Sequence, residues 1–308
     1  MNDLAGWPAL VLTAGLGTRL RPLSLVRAKA AMPVAGMPLV CRILRWLHAA
    51  GVRRAVVNLH HLPESITRVV GDGSEFGLEV RYSWEPIVLG SAGGPRRALP
   101  LLDAERFLIV NGDTITDCDL GAVARQHLAT GARVTMAVVE GDVARYGGVL
   151  VDESLTVRGF GRPQPPLRAL HFIGVQAVDA SVFADVPDDR PSETVRSLYP
   201  QLIARAPQAI RAYESTAEFL DVGTARDYLD TVGIVAAREG REFDVGEGCD
   251  IAPDARRDRA ILWDRVSVGP GAVLTDCVVA DDCVIAGGAR IEQQVLVAGR
   301  EGVTATPL

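Results

Sequence analysis

The C-terminal part of the chain repeats with a period of six, which restricts the folds open to it. A branched aliphatic residue stands first and a small residue fifth in the segments Val245–Cys249, Ile251–Ala255, Val268–Ala272, Val279–Cys283 and Ile285–Ala289. This pattern is typical of a parallel β-helix, in which stacked aliphatic side chains fill the interior and small residues fit the corners. We expect a short left-handed parallel β-helix, with an extruded loop at Pro253–Arg265 and a disordered tail after Gly299.

Upstream of the repeat, short apolar runs alternate with amphipathic stretches. The run Ala9–Thr13 is typical of a strand that is buried on both faces of a parallel sheet. Strands that alternate with helices predict βαβ units. We therefore expect an α/β fold with a Rossmann-like, mainly parallel sheet and helices on both faces. Further strands are expected at Val52–Leu59, Leu78–Trp84, Phe107–Val110, Val134–Val139, Ala169–Val178 and Ala209–Glu214, and helices around Val40–Leu47 and at Pro63–Val70, Leu120–Leu128, Thr194–Ala204 and Thr224–Arg238. The start of the last of these helices, Thr224-x-x-Asp227, resembles a capping box.

Composition and length define the class of protein. The 308 residues suffice for two unequal domains, which we place at 1–240 and 241–299, with a tail at 300–308. A net charge of −6 argues against a nucleic-acid partner. The five cysteines form no CxxC pair, and no apolar run approaches the roughly 20 residues of a membrane span. These features predict a cytoplasmic protein without a membrane partner.

A glycine turn that carries an arginine follows the first predicted strand. A dinucleotide-binding turn would need a third glycine where Leu20 stands, and a P-loop would need Gly-Lys-Ser/Thr, so both motifs are excluded. Gly15 and Gly17 would let backbone N–H groups approach phosphate oxygens, and Arg19 adds a permanent cation. Lys29 follows within reach of one loop. A simple turn and a solvated lysine are the structural alternatives.

The stretch from Gly15 to Ser24, GLGTRLRPLS, resembles the N-terminal motif GxGTRLxPLT of the sugar-1-phosphate nucleotidyltransferases. Glu85–Gly93 resembles the EPxLGTAG base-binding loop of this family, Val110–Asp113 its NGD metal motif and Phe219–Thr224 its WxDIGT motif. A C-terminal hexapeptide domain also recurs in the family. The resemblance covers nearly the whole chain and implies the nucleotidyltransferase fold.

The resemblance also implies a reaction. Such an enzyme joins a nucleoside triphosphate to a sugar 1-phosphate and releases pyrophosphate. Asp113 and Asp221 would hold Mg²⁺, and Arg19 and Lys29 would complete the catalytic set. The implied nucleotide contacts are Ala14, Gly15, Gly17, Thr18, Arg19, Glu85, Gly90 and Ser91. The implied sugar-phosphate contacts are Gly112, Gly148, Arg162, His171 and Gly174.

Two departures from the family pattern concern the sugar. Gly161 replaces the glutamate of the usual FxEKP motif, and His171 stands where many members have asparagine. GTP with mannose 1-phosphate is the expected substrate pair, and uridylyl or thymidylyl transfer to another sugar 1-phosphate is the alternative. Two other functions are possible for such a chain: a non-catalytic sugar-nucleotide sensor and a hexapeptide acyltransferase. An exposed face of the β-helix could also mediate self-association. The acyltransferase is disfavoured because every histidine precedes the repeats.

Overall fold

A computed structural model describes Leu4, residues 6–300 and residues 302–308. The α-helices are α1 Leu39–Ala49, α2 Pro63–Val70, α3 Gly90–Leu102, α4 Leu120–Thr130, α5 Val143–Tyr146, α6 Tyr199–Arg205 and α7 Ala225–Arg238. The strands are β1 Ala9–Leu12, β2 Pro33–Val34, β3 Met37–Pro38, β4 Arg54–Leu59, β5 Glu79–Trp84, β6 Arg106–Asn111, β7 Thr114–Ile115, β8 Val134–Val139, β9 Gly148–Val151, β10 Val157–Gly161, β11 Arg168–Asp179, β12 Ile210–Glu214, β13 Leu220–Asp221, β14 Asp250–Ile251, β15 Arg256–Leu262, β16 Ser267–Val268, β17 Val273–Val279, β18 Val284–Ile285, β19 Arg290–Glu292, β20 Gln294–Gly299 and β21 Gly302–Pro307.

The chain divides into two compact units. The first unit comprises Met1–Gly15, Arg42–His61 and Val70–Phe219, and the second comprises Leu16–Cys41, Leu62–Val69 and Leu220–Leu308. The segment that follows the glycine turn therefore belongs to the same unit as the C-terminal strands. The sequence-based division at residue 240 stays a prediction.

A nine-stranded sheet forms the centre of the first unit. Its main order is β10-β9-β11-β6-β1-β4-β5, with β8 paired to β11 and β12 paired to β8. The strands β6, β1, β4 and β5 run parallel, whereas β11 runs antiparallel to β6. Leu10, Val56, Phe107 and Ile109 are at most 2% exposed and belong to the hydrophobic core of this unit. The predicted α/β fold with a parallel central sheet is thus confirmed, and the antiparallel strands make the whole sheet mixed.

The capping residues of α4 show how the sequence sets a helix boundary. The Asp119 side chain accepts a hydrogen bond from the Ala122 N–H at 2.9 Å, which caps the first turn. Gly131 follows the last helical residue with φ +64°, a left-handed conformation that glycine adopts without strain. Local chemistry therefore suffices to predict this helix.

Helix α3 was not expected, because its sequence contains two prolines and several glycines. Pro95 and Pro100 lie inside it, and such residues argue against a helix. Close packing explains the glycines: a Cβ on Gly93 would lie 3.0 Å from Leu89 Cβ and 3.3 Å from the Arg190 carbonyl oxygen. Tertiary contacts thus outweigh local propensity here.

Parallel strands stack in the C-terminal part of the second unit. Ile251 pairs with Val268 and Val268 with Ile285, so that paired residues lie 17 positions apart. Their interior is apolar and contains the fully buried Cys277 and Cys283, whereas Cys249 is only half-buried. The predicted period of six would give 18 residues per three-sided coil, and the observed offset between paired strands is one residue shorter.

Two C-terminal expectations are wrong. The extruded loop expected at Pro253–Arg265 contains β15, which pairs in parallel with β17. The charged residues of β15 interrupt the hexapeptide pattern in the sequence, but they point outward, whereas Ala260, Ile261 and Leu262 are buried. The tail expected to be disordered forms β21, which pairs antiparallel with β20. Among the described residues, no helix has both the length and the apolar character that a membrane span requires.

Candidate functional site

A buried polar network closes the carboxyl ends of β1 and β4 in the first unit. The Asn58 side-chain oxygen accepts hydrogen bonds from the N–H groups of Thr13 at 2.6 Å and Ala14 at 3.3 Å. The Asn58 amide donates to Glu85 Oε1 at 2.7 Å, and the Leu89 N–H donates to Glu85 Oε2 at 2.8 Å. Asn58 and Glu85 are 3% and 0% exposed, so these bonds replace bonds to water. The network fixes the start of the glycine turn against the chain that leads into α3.

Glu85 is a predicted nucleotide contact, and the structure places its carboxylate inside the protein. Both oxygens accept hydrogen bonds from protein donors, and a Cβ on Gly94 would lie only 2.8 Å from Oε1. This placement favours a positioning role over a direct contact with a ligand. Asn58 was not singled out from the sequence, although a lone amide in the apolar strand RAVVNL is a signal that a search for buried polar residues would find.

The first turn of α3 packs against residues 192–194. Gly90 has φ +77°, and a Cβ there would lie 2.6 Å from Glu193 Oε1. The Ser91 hydroxyl donates to Glu193 Oε2 at 2.7 Å and accepts from the Thr194 N–H at 2.9 Å. Gly90 and Ser91 therefore lie in a helical turn, where the resemblance implies a loop. The hydroxyl of Ser91 is engaged with the neighbouring segment.

Two glycines allow close packing at the end of β6. A Cβ on Gly112 would lie 2.5 Å from the Leu12 carbonyl oxygen. Gly174 has φ +79°, and a Cβ there would lie 2.9 Å from Asn111 Cβ. Both predicted sugar-phosphate glycines are therefore required by packing. Asp113 follows Gly112, is half-buried and lies just beyond the carboxyl end of the parallel strand β6. Ligands bind at such strand ends in sheets of this kind.

A cavity of about 530 Å³ in the first unit is lined by three aromatic rings. The His171 ring centroid lies 4.4 Å from that of Phe219 and 4.6 Å from that of Tyr146. His171 is 5% exposed, and within the described part of the chain neither of its ring nitrogens has a hydrogen-bond partner. Burial lowers the pKa of His171, so the neutral imidazole, with one donor and one acceptor, prevails at neutral pH.

The hairpin of β9 and β10 carries the other two predicted sugar-phosphate residues. Gly148 pairs with Gly161, and a Cβ on Gly148 would lie 2.6 Å from the Gly161 carbonyl oxygen. Gly148 is buried by this pairing, whereas Arg162 follows β10 directly and is exposed. Of the two, Arg162 is the residue placed to reach an anionic ligand.

In the second unit, the glycine turn leads into a short 3₁₀ helix. Gly17 has φ +59°, and its carbonyl accepts a hydrogen bond from the Ser24 hydroxyl at 2.8 Å. A Cβ on Gly17 would lie 3.6 Å from Lys29 Cβ, so Lys29 is close to the turn. Thr18 and Arg19 are exposed. The turn thus presents Arg19 to solvent, and the Cβ of Lys29 lies close to Gly17 of the same turn.

Arg19 and Asp221 meet at Gly223. A Cβ on Gly223 would contact Asp221 Oδ2 and would lie 3.2 Å from Arg19 Nη1, so a side chain at this position would crowd both groups. Helix α7 begins directly afterwards with the predicted capping box. The Thr224 hydroxyl accepts from the Asp227 N–H at 3.2 Å, and Asp227 Oδ2 accepts from the Thr224 N–H at 3.0 Å. The cap fixes the backbone that carries Asp221.

The predicted catalytic residues are shared between the units. Arg19, Lys29 and Asp221 belong to the second unit, and Asp113 belongs to the first. Within the residues described, no three His, Cys, Asp or Glu side chains are arranged as a metal centre. Mg²⁺ is commonly held by only one or two carboxylates, with substrate phosphates and water as its other ligands.

Comparison with known proteins places these features in a family. The model of a family described as nucleotidyl transferase matches residues 8–237. This range contains all of the site residues predicted from the sequence.

Two curated relatives cover most of the chain. A mannose-1-phosphate guanylyltransferase from Mycobacterium tuberculosis is 30% identical over an alignment of 296 positions that covers 86% of this chain and 82% of the relative. A UTP–glucose-1-phosphate uridylyltransferase from Synechocystis is 26% identical over an alignment of 321 positions that covers 94% of this chain and 82% of the relative. Among solved structures, HddC from Yersinia pseudotuberculosis in complex with GMP-PN has a TM-score of 0.64 at 23% identity and covers 74% of this chain and 99% of its own.

Proposed function

Because the chain belongs to the nucleotidyl transferase family, as a sugar-1-phosphate nucleotidyltransferase, we propose that it joins GTP to mannose 1-phosphate or a related sugar phosphate. The products are a nucleotide sugar and pyrophosphate. The alternative is uridylyl or thymidylyl transfer to another sugar 1-phosphate, and the similarity to a uridylyltransferase supports it. Both reactions use the same chemistry at phosphorus.

The meeting of Arg19 and Asp221 at Gly223 carries the proposal. An oxygen of the sugar phosphate attacks the α-phosphorus of the triphosphate, a new P–O bond forms, and the bond to the leaving pyrophosphate breaks. The attacking oxygen is already ionised, so no general base is needed. Two anions must approach each other, and a guanidinium beside a carboxylate offers both direct charge stabilisation and a metal ligand. Lys29 adds a second cation near the same turn.

Asp113 and Asp221 would hold Mg²⁺, since carboxylate oxygens are the protein ligands that this ion prefers. When bound, the ion would neutralise phosphate charge and orient the reacting groups. The exposed guanidinium of Arg19 can contact phosphate oxygens in a bidentate manner, which orients the triphosphate. Removal of such a donor typically costs about 10²–10³ in rate.

The aromatic cavity is the proposed position of the sugar. His171 has one donor and one acceptor nitrogen without partners among the described residues, which suits a sugar hydroxyl that both accepts and donates. The rings of Tyr146 and Phe219 offer apolar surface to the sugar ring. Arg162 is proposed as the contact to the sugar phosphate. The proposed contacts to the nucleotide base are backbone groups of Ala14, Gly15, Gly17 and the first turn of α3. Glu85 would act indirectly, through its hydrogen bond with the Leu89 N–H.

The reaction is tested with purified protein, Mg²⁺ and a panel of nucleoside triphosphates and sugar 1-phosphates. We expect pyrophosphate release from one triphosphate only when the right sugar phosphate is added, with GTP and mannose 1-phosphate as the leading pair. Asp113→Asn and Asp221→Asn should each abolish turnover and leave the melting temperature nearly unchanged. Folded protein that binds nucleotide but releases pyrophosphate with no pair would instead indicate a regulatory subunit.

Three further assignments complete the proposal. The offset of 17 residues between stacked strands supports a short left-handed parallel β-helix at 241–299. A cytoplasmic location fits the use of nucleoside triphosphates. Self-association through an exposed face of the stack is proposed as well, and sedimentation or light scattering would test it.

A further inference from the structure

Arg27 lies two residues before Lys29, and two aspartates in the turns between the C-terminal strands hold its side chain. Arg27 Nε donates to Asp281 Oδ2 at 2.8 Å, and Nη2 donates to Asp281 Oδ1 and to Asp264 Oδ2, each at 2.5 Å. The guanidinium carbon lies 5.1 Å from the ring centroid of Trp263. The side chains of Arg27 and Asp281 are 18% and 13% exposed, so solvent ions screen this pair only weakly.

A second chain of hydrogen bonds runs beside this ion pair. Trp263 is fully buried, and its indole N–H donates to the Tyr228 hydroxyl at 3.0 Å. The Tyr228 hydroxyl donates in turn to the Pro33 carbonyl at 2.5 Å. Tyr228 lies in the first turns of α7, shortly after Asp221, and Pro33 begins β2. Trp263 therefore contacts Arg27 directly, and through the Tyr228 hydroxyl it is connected to Pro33 and to the helix after Asp221.

The segment Leu16–Cys41 has little regular structure that could hold its shape alone. It forms three 3₁₀ turns and the two-residue strands β2 and β3, which pair with each other. Turns and hairpins this short are at best marginally stable in isolation. The conformation that carries Arg19 and Lys29 therefore depends on side-chain anchors from outside the segment.

We propose that the C-terminal strands position Arg19 and Lys29 for reaction, with Arg27 as the positioning residue and Asp281 as its principal anchor. The expected effect on catalysis rests on the proposed function, whereas the expected effect on the conformation of Leu16–Cys41 does not depend on the substrate. It gives the C-terminal strands a role in catalysis, although none of their residues is proposed to touch the substrates. It also accounts for the grouping of Leu16–Cys41 with the C-terminal strands in one compact unit.

The next residue in the chain provides a matched control. Asp282 accepts hydrogen bonds from Arg265 Nε at 2.6 Å and Nη2 at 2.9 Å, so it also forms a two-point contact with an arginine. Both partners lie in turns between the C-terminal strands, and their side chains are 58% and 59% exposed. Asp281→Asn and Asp282→Asn thus make the same chemical change, and only the first weakens the contact with Leu16–Cys41.

The test compares these two variants and Arg27→Lys by hydrogen exchange and steady-state kinetics. In Asp281→Asn, we expect faster exchange of amides 17–32 and a roughly 10- to 100-fold fall in kcat/KM, the scale of loss that misplaced catalytic groups produce. Asp282→Asn should match wild type in both measurements. Arg27→Lys retains the charge but loses the two-point geometry, so its exchange should lie between those of wild type and Asp281→Asn.

The double variant Arg27→Gln/Asp281→Asn tests whether the two residues act through each other. Its kinetic loss should be no greater than that of the more damaging single variant, because both changes remove the same contact. Additive losses, or equal exchange of amides 17–32 in Asp281→Asn and Asp282→Asn, would overturn the inference. If Asp281→Asn does not fold, Arg27→Lys supplies the comparison. Absence of pyrophosphate release from wild type would reject the proposed function, and the exchange comparison would still decide the positioning role.

Discussion

Glu85 illustrates, at the scale of single residues, how a motif residue can act without touching a ligand. It accepts hydrogen bonds from the Asn58 amide and the Leu89 N–H while it is fully buried. Through these bonds it connects the strand end that precedes the glycine turn to the helix that begins at Gly90. Its proposed contribution to nucleotide binding is therefore the shape of the surrounding backbone.

The substitution Glu85→Gln tests this role. Both neighbouring groups are donors, so an amide in place of the carboxylate must turn its own N–H₂ toward one of them and leave it unsatisfied. We expect a loss of about 1–3 kcal/mol in the free energy of unfolding, measured by urea denaturation. Glu153→Gln, at an exposed position, is the control and should leave stability unchanged. Equal stabilities for the two variants would contradict the assignment.

The sequence alone singled out candidate residues that stand in contiguous motifs, and it missed residues whose contacts come from distant parts of the chain. Arg19 and Asp221 stand in recognisable local patterns, and the structure brings them together at Gly223. Arg27 shows no such pattern, because its partner Asp281 lies 254 positions away. Asn58 was likewise missed, since its partners come from two other strand ends. Predicting such contacts requires the fold as well as the local sequence.

At the scale of elements, the predictable helices are those whose ends are set by local chemistry. The capping box of α7 was expected from Thr224 and Asp227, and both of its hydrogen bonds are present. Helix α3 and strand β15 were missed for the opposite reason. Glycines and prolines in α3 and charged residues in β15 oppose the pattern, and packing determines the outcome.

Thr224→Ala should shorten or loosen the start of α7. Loss of the cap is expected to cost roughly 0.5–2 kcal/mol, seen as a lower urea midpoint. Because Asp221 immediately precedes this turn, we also expect a fall in kcat that exceeds any change in KM. Thr67→Ala, within α2, is the control, since alanine is the better helix former at an interior position. A normal kcat in Thr224→Ala would show that the helix cap does not affect the proposed catalytic role of Asp221.

At the scale of the whole molecule, two buried histidines make stability depend on pH. Burial lowers the pKa of His127, although its hydrogen bond with Asp179 opposes the shift, and burial lowers the pKa of His171 as well. The unfolded chain therefore takes up protons at these residues at a higher pH than the folded chain does. The folded state is favoured above the ordinary histidine pKa of 6.5 and loses stability as the pH falls below it.

We therefore expect a lower urea midpoint at about pH 5.5 than at about pH 7.5, because the unfolded histidines have a pKa near 6.5. The variant His127→Gln should show a smaller difference between the two midpoints, since it removes one of the two titrating groups. Midpoints that are the same at both pH values in wild type would show that these histidines are not linked to unfolding.

The last strand, β21, lies at the edge where the C-terminal stack of parallel strands could be extended. A stack of parallel coils exposes unpaired backbone groups at its final turn, and another copy could add there in the same direction. In this chain β21 turns back and pairs antiparallel along β20, from Gln294 opposite Pro307 to Gly299 opposite Gly302. A second chain would meet a strand of the wrong polarity that ends in a proline, which offers no N–H. The edge of β20 on which a further parallel strand could be added is therefore already occupied by β21.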